Sequence, residues 1–291
     1  MSAAPHADVA IPFMQHFDKK FIDAASNLRL IMQFGVGLEG VDVDEATRQG
    51  ICVSNIPAAE TGNAEATAEH ALLLSMCLLR RLHNDLPTRF HNQVLGGVPL
   101  PRALYKKRVC VVGYGSVGKV LCRYLDVMGA EVTAVRRSPW PEPSQDEPVG
   151  MIRSNSLEKV LPDTELLILA CELNKSTWHL MDHYHFSLLP DDALVVNVGR
   201  GPLVEYHALL DALESKLGGF ASDVGTGHPE KPSEPWDPHD IISKHPNTLF
   251  TPHCGGYCDY SYKWMAPAVV DAIECVMAGE APKVWVNGKA K

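Results

Sequence analysis

The most constraining feature of this chain is a junction. Arg108-Val109-Cys110-Val111-Val112 is an apolar run of strand character, and it passes without a linker into Gly113-Tyr114-Gly115-Ser116-Val117-Gly118. From Val117 to Met128 the pattern changes to helical periodicity. In such a junction the first glycine permits a tight turn and the second lets a ligand approach the backbone. The third lets helix and strand pack closely. The amino end of the helix offers N–H groups and the positive pole of its dipole, which suit a pyrophosphate. The junction therefore predicts a dinucleotide-binding unit in which Gly113, Tyr114, Gly115, Ser116, Val117 and Gly118 line the cofactor.

The rest of the chain agrees with that unit. Short apolar runs alternate with helix-like stretches, the pattern of parallel sheets covered on both faces. Val9-Ala10-Ile11, residues 28–32 and Ile51-Cys52-Val53 read as three early strands, followed by a long helix over about 63–82. After the turn-rich connection at 84–105 come strands at 108–112, 131–135, 166–170, 193–198, 219–221 and 248–250, and helices at 117–128, 203–215 and 264–277. Residues 138–148, with four prolines, read as a surface loop. The expected fold class is α/β, with two Rossmann-like or flavodoxin-like parallel-sheet domains.

Composition narrows the function. The 291 residues suit two domains, and a formal charge of −9 argues against nucleic acid or anionic lipid as partner. No run of about 18 apolar residues is present to span a membrane, and the first residues do not read as a secretory signal. Eight cysteines lie mostly inside apolar stretches and read as free thiols of a reducing compartment, so a cytoplasmic location is expected. His253-Cys254 and Cys258 have no second pair at zinc-like spacing, and no metal is expected.

Cofactor choice is set at the end of the second strand of such a unit, where an acidic residue would bind the ribose 2′-hydroxyl of NAD. Here Glu131-Val132-Thr133-Ala134-Val135 runs into Arg136-Arg137-Ser138, with Arg136 standing 23 residues after Gly113. Two guanidinium groups and a hydroxyl suit a phosphate dianion. NADP(H) is the favoured cofactor and NAD(H) the alternative.

Three later segments complete a pattern. Asn197-Val198-Gly199-Arg200-Gly201-Pro202 and Thr251-Pro252-His253-Cys254-Gly255-Gly256 place an arginine and a histidine just beyond strands, and Ser222-Asp223-Val224 lies between them. With Gln33-Phe34-Gly35-Val36-Gly37 and residues 63–69, they resemble the D-isomer-specific 2-hydroxyacid dehydrogenases from about residue 9 to 280. The chemistry explains the residue types. A 2-oxo acid needs an anchor for its carboxylate and a proton for the emerging alkoxide. Arg200 offers a planar double donor, and histidine, the residue type at 253, is the side chain whose ordinary pKa lies near neutrality.

The resemblance implies residues 1–84 plus 259–291 as the substrate domain, shortened at its amino end, and 85–258 as the NAD(P)-binding Rossmann domain. It further implies that backbone N–H groups around Val36 and Gly37 hold the substrate carboxylate. By the same resemblance, Asn174 and Thr177 are expected beneath the nicotinamide, and Asp223 and Gly255 beside the cofactor. It makes the helix with Glu69 and His70 a dimerisation helix of a homodimer. One departure stands out. The family's acidic partner of the histidine falls here on His228, while Glu234 lies 19 residues before His253 and Glu230 lies 23 before it. Glu234 is the first choice, with Glu230 and His228 as alternatives. The expected activity is NADPH-linked reduction of small 2-oxo acids, of hydroxypyruvate or glyoxylate type. NAD-linked oxidation of a phosphoglycerate-like hydroxy acid and a catalytically weak dinucleotide-sensing scaffold are the rivals.

Overall fold

The computed structural model describes residues 4–288 except 13–14, 58–60, 84–90, 94–99, 227–236 and 238. The chain divides into two compact units, Met1–Asn63 with Cys258–Lys291, and Ala64–Tyr257.

In the first unit three parallel strands, β1 (Val9–Ala10), β2 (Leu30–Gln33) and β3 (Cys52–Asn55), lie in the order β1-β2-β3. Successive strand residues point to opposite faces, and they join two different cores in alternation. Ile31 and Val53 pack with Ile22 and Ala46, contributed by or beside the short helices α1 (Lys19–Ala24) and α2 (Val43–Arg48). Leu30, Met32 and Cys52 pack on the other face against Met265, Val269, Ala272 and Val276 of the last helix, Asp259–Ala278. Asp18 and Asp42 cap α1 and α2, each carboxylate accepting a backbone N–H from the first turn.

The second unit is built on a seven-stranded parallel sheet. Its strands are β4 (Arg108–Val112), β5 (Glu131–Val135), β6 (Ile152–Ser154), β7 (Leu166–Leu169), β8 (Leu194–Asn197), β9 (Gly219–Ser222) and β10 (Thr248–Phe250), in the order β10-β9-β8-β7-β4-β5-β6. The chain winds outward from β4 in both directions, so the topological switch lies between β4 and β7. Val109, Val111, Ile168 and Val196 bury one face beneath α3 (Asn63–Arg80) and α4 (Ser116–Val127). Cys110, Leu167, Leu169 and Val195 bury the other, beneath α5 (His183–Leu188), α6 (Tyr206–Ser215) and α7 (Ile241–Lys244). This is a doubly wound α/β architecture with a Rossmann-type second unit. Among the described residues no helix is long and apolar enough to cross a membrane.

Two expectations need correction. The boundary expected after residue 84 falls at Asn63, because α3 buries Ala64, Ala68, Ala71, Leu74, Leu78 and Leu79 in the core of the second unit. The helix expected from Leu203 begins at Tyr206. Gly201–Leu203 forms a 3-10 turn, and the Glu205 carboxylate then caps the helix by accepting from the N–H of His207 and Ala208. The 84–105 connection lies largely outside the described residues.

Candidate active site

Because all seven strands are parallel, the carboxyl ends of β4, β5, β7, β8, β9 and β10 open on one edge of the sheet. The residues expected to carry chemistry in the second unit follow those ends.

The turn after β4 meets the demands placed on its glycines. Gly113 has φ +103°, and a Cβ there would lie 2.7 Å from the Ala170 carbonyl oxygen and the Cys171 backbone. A Cβ on Gly118 would lie 1.9 Å from the Gly113 carbonyl oxygen, so the first turn of α4 can sit on the strand only without a side chain there. Gly115 faces open space. It is the N-cap of α4 and provides no side-chain hydrogen bond to the helix. A twelve-residue helix thus presents its amino end over an open cradle, which fits a dinucleotide's pyrophosphate. Ser116 and Val117 begin that helix. Tyr114 belongs to the turn by its backbone, but its ring is buried against Trp140, with centroids 5.0 Å apart. Burial, together with the neighbouring Glu147 carboxylate, pushes its hydroxyl up to about 12.

At the end of β5 the Arg136 guanidinium donates to Ser138 Oγ from Nε (3.0 Å) and Nη2 (2.5 Å) and stands 5.7 Å from the Trp140 ring centroid. Arg137 and Ser138 are exposed. Arg153 also lies over the Trp140 ring, 5.0 Å from its centroid, and is held by two bonds to Glu147 (2.7 and 2.6 Å). The proline-rich 138–148 stretch is therefore a surface loop pinned at two points, Trp140 and Glu147. No acidic residue takes the place after Val135 that a ribose hydroxyl would use.

Beyond β7, Thr177 Oγ accepts from the Asn174 N–H (2.8 Å) and donates to the Glu172 carbonyl (2.7 Å), while Asn174 Oδ1 accepts from Ser176. Both side chains thus build their own loop. Beyond β8, the Asn197 side chain accepts from the Gly199 N–H (3.0 Å) and donates to the Arg200 carbonyl (2.8 Å), shaping the turn that carries Arg200. Arg200 is half-buried, in extended backbone, and its Nη1 donates to the Gly199 carbonyl (2.7 Å).

The ends of β9 and β10 meet at Asp223, which is buried to 2% exposure. Its Oδ1 accepts from Thr251 Oγ (2.5 Å) and the Cys254 N–H (2.9 Å), and its Oδ2 from the Gly255 N–H (2.8 Å). His70 of α3 completes the group, with Nε2 2.9 Å from Thr251 Oγ and 3.4 Å from Asp223 Oδ1. Burial pushes the Asp223 carboxyl up, but the bonds from His70, Thr251 and Gly255 outweigh it and hold it below the usual range. His253 lies within this loop at φ +51°, a left-handed conformation unusual for a side chain larger than glycine. His70 and Thr251 were not among the expected site residues. The visible signal was a histidine on an otherwise apolar helix stripe, facing a Thr-Pro-His turn.

His70, Asp223 and Cys254 each place one metal-ligand type of atom within 4.8 Å of the others. Three of the about four acceptor sites of the Asp223 carboxylate are engaged by hydroxyl and amide donors, which makes it the centre of a hydrogen-bonded clamp. In the first unit, Val36 and Gly37 follow the carboxyl end of β2, and Asn55 Nδ2 donates to the Val36 carbonyl (2.7 Å). Glu234, Glu230 and His228 lie outside the described residues.

Comparison with known proteins bears on the same segments. Residues 73–255 match the NAD binding domain of the D-isomer specific 2-hydroxyacid dehydrogenases. A glyoxylate reductase of Thermococcus gammatolerans is 30% identical over 281 residues, covering 94% of this chain and 80% of that protein. A solved structure from Thermus thermophilus superposes with a TM-score of 0.83 at 26% identity, covering 98% of this chain and 88% of the other. A glyoxylate reductase from Paecilomyces thermophila superposes at 0.75 with 26% identity, over 93% of this chain and 79% of its own. Strand order, glycine turn and sequence kinship agree: the chain belongs to the D-isomer specific 2-hydroxyacid dehydrogenase family, whose members are NAD(P)-dependent oxidoreductases.

Proposed function

We propose that this protein reduces small 2-oxo acids of glyoxylate or hydroxypyruvate type to D-2-hydroxy acids and prefers NADPH to NADH. The observation that carries the reading is the common edge of the parallel sheet, where the glycine turn, Arg200, Asp223 and the His253 loop all emerge. The Arg200 guanidinium binds the substrate carboxylate with two parallel donors and polarises the carbonyl as negative charge develops on its oxygen. His253 gives a proton to that oxygen in reduction and takes it back in oxidation. Bound cofactor supplies the hydride. Glu234 orients His253, and the backbone N–H groups of Val36 and Gly37 are donors of the kind a carboxylate accepts from. Arg136, Arg137 and Ser138 receive the 2′-phosphate, Arg136 being already aligned with Ser138. The glyoxylate reductases among its relatives support the substrate class, and the resemblance of the Glu69/His70 helix supports a homodimer.

Loss of NADPH absorbance with glyoxylate and with hydroxypyruvate tests this directly. Arg200→Ala is expected to lower kcat/KM by about 10²- to 10³-fold, as for removal of other donors to developing charge. NADPH binding without turnover of any 2-oxo acid, or full activity of Arg200→Ala, would overturn the reading.

A further inference from the structure

His70 reaches the β9–β10 edge from a different element. It sits on α3, and its side chain is 13% exposed. Thr251 has a single hydroxyl hydrogen, directed at Asp223 Oδ1 at 2.5 Å. The 2.9 Å contact from His70 Nε2 must therefore be donated by the ring, which fixes a proton on Nε2. The chain of donors runs from His70 to Thr251 to Asp223, and His70 Nε2 also stands 3.4 Å from Asp223 Oδ1. Asp223 in turn accepts the N–H groups of Cys254 and Gly255, the two residues after His253. Gly255 is part of the fit, since a Cβ there would stand 2.9 Å from Asp223 Oδ2 and 3.5 Å from the His70 side chain.

The backbone that this clamp holds is a costly one. A left-handed, non-glycine His253 is strained and persists where its surroundings over-determine it. The His253 N–H is bonded to the Thr251 carbonyl (3.0 Å), so Thr251 grips the loop on one side of His253 and Asp223 on the other. We infer that His70 is a positioning residue for the 2-oxo acid reduction, its Nε2–H orienting Thr251 and Asp223 so that they aim the loop bearing His253. The inference rests on the proposed role of His253, and His70 acts through Thr251 and Asp223.

The test is donor geometry at position 70, read by steady-state kinetics with NADPH and glyoxylate on the full chain. His70→Asn presents its N–H where Nδ1 stood, and His70→Gln presents one where Nε2 stood. The expected result is a kcat about 10- to 100-fold lower in His70→Asn, with KM for glyoxylate within about threefold, and recovery of most of that loss in His70→Gln. A packing role would treat the two amides alike. Thr251→Val and Thr251→Ser repeat the test should the His70 variants not fold, with the loss expected in Val and absent in Ser. His253→Asn separates the two claims. If it is inactive while the Asn and Gln variants at 70 both keep wild-type kcat, the positioning role is overturned and the His253 reading stands. If His253→Asn turns over normally, both fall.

Discussion

Gly115 and Gly118 belong to one motif, yet their surroundings are opposite. A methyl on Gly118 would collide with the Gly113 carbonyl at 1.9 Å, whereas a methyl on Gly115 meets nothing within 4 Å, at an ordinary φ of −88°. The two alanine variants should therefore separate folding from binding. Gly118→Ala is expected to cost about 1–3 kcal/mol or more through overpacking, seen as a lowered Tm without cofactor. Gly115→Ala should leave that Tm within a few degrees and raise the dinucleotide Kd, because the methyl occupies the cradle. A Gly115→Ala protein that binds NADPH normally would argue against a pyrophosphate there. Residue roles of this kind were legible in the sequence because the glycine spacing states its own geometric need. Tyr114 was not, since the burial of its ring depends on Trp140, 26 residues onward. The His70 contact depends on a residue 181 positions away. Nothing in local pattern announces such pairings.

At the level of elements, the loops after β9 and β10 are held by one carboxylate. Asp223 is charged more readily in the folded chain than free, its pKa lying below the ordinary 3.8. Its contribution to stability is thus fully present above about pH 4 and is lost as the pH falls through the depressed value. Asp223→Asn should be less stable than wild type at neutral pH by about 1–3 kcal/mol, having lost acceptors for buried donors. That gap should close as both proteins are acidified below pH 4. Glu147, held down by its bonds to Arg153, contributes acid lability to both proteins, so the informative quantity is the difference in Tm between them. A gap constant down to pH 3 would contradict a charged, clamping Asp223. Elements differed in how readable they were for a related reason. The central strands β4, β7 and β8 are buried on both faces and appear as continuous apolar runs. By contrast β6, at the sheet edge, is partly exposed and shows no such run. The helices α1, α2 and α5 have six residues each, too few for a 3.6-residue period to declare itself.

For the molecule as a whole, the division at Asn63 decides which experiment reports on cofactor choice. The helix α3 shares its core with β4, β7 and β8, and the other face of the same sheet carries a second continuous core. Unfolding of the second unit therefore breaks the glycine turn and the Arg136 corner together, and a ligand bound there stabilises the whole unit by mass action. At 100 times its Kd a dinucleotide adds about 2.7 kcal/mol, and each tenfold difference in Kd between two ligands at equal concentration separates their effects by about 1.4 kcal/mol. The proposed preference thus predicts a larger rise in Tm with NADPH than with NADH. Arg136→Ala should reduce that difference without greatly changing the Tm of the free protein. The Arg136 side chain's bonds to Ser138 are exposed, and its stacking on Trp140 is duplicated by Arg153 on the same ring. Equal shifts with the two cofactors in the wild type would remove the NADPH preference while leaving the dinucleotide site intact. A shift with neither, beside a normal Tm without ligand, would instead mean that the open amino end of α4 binds no dinucleotide.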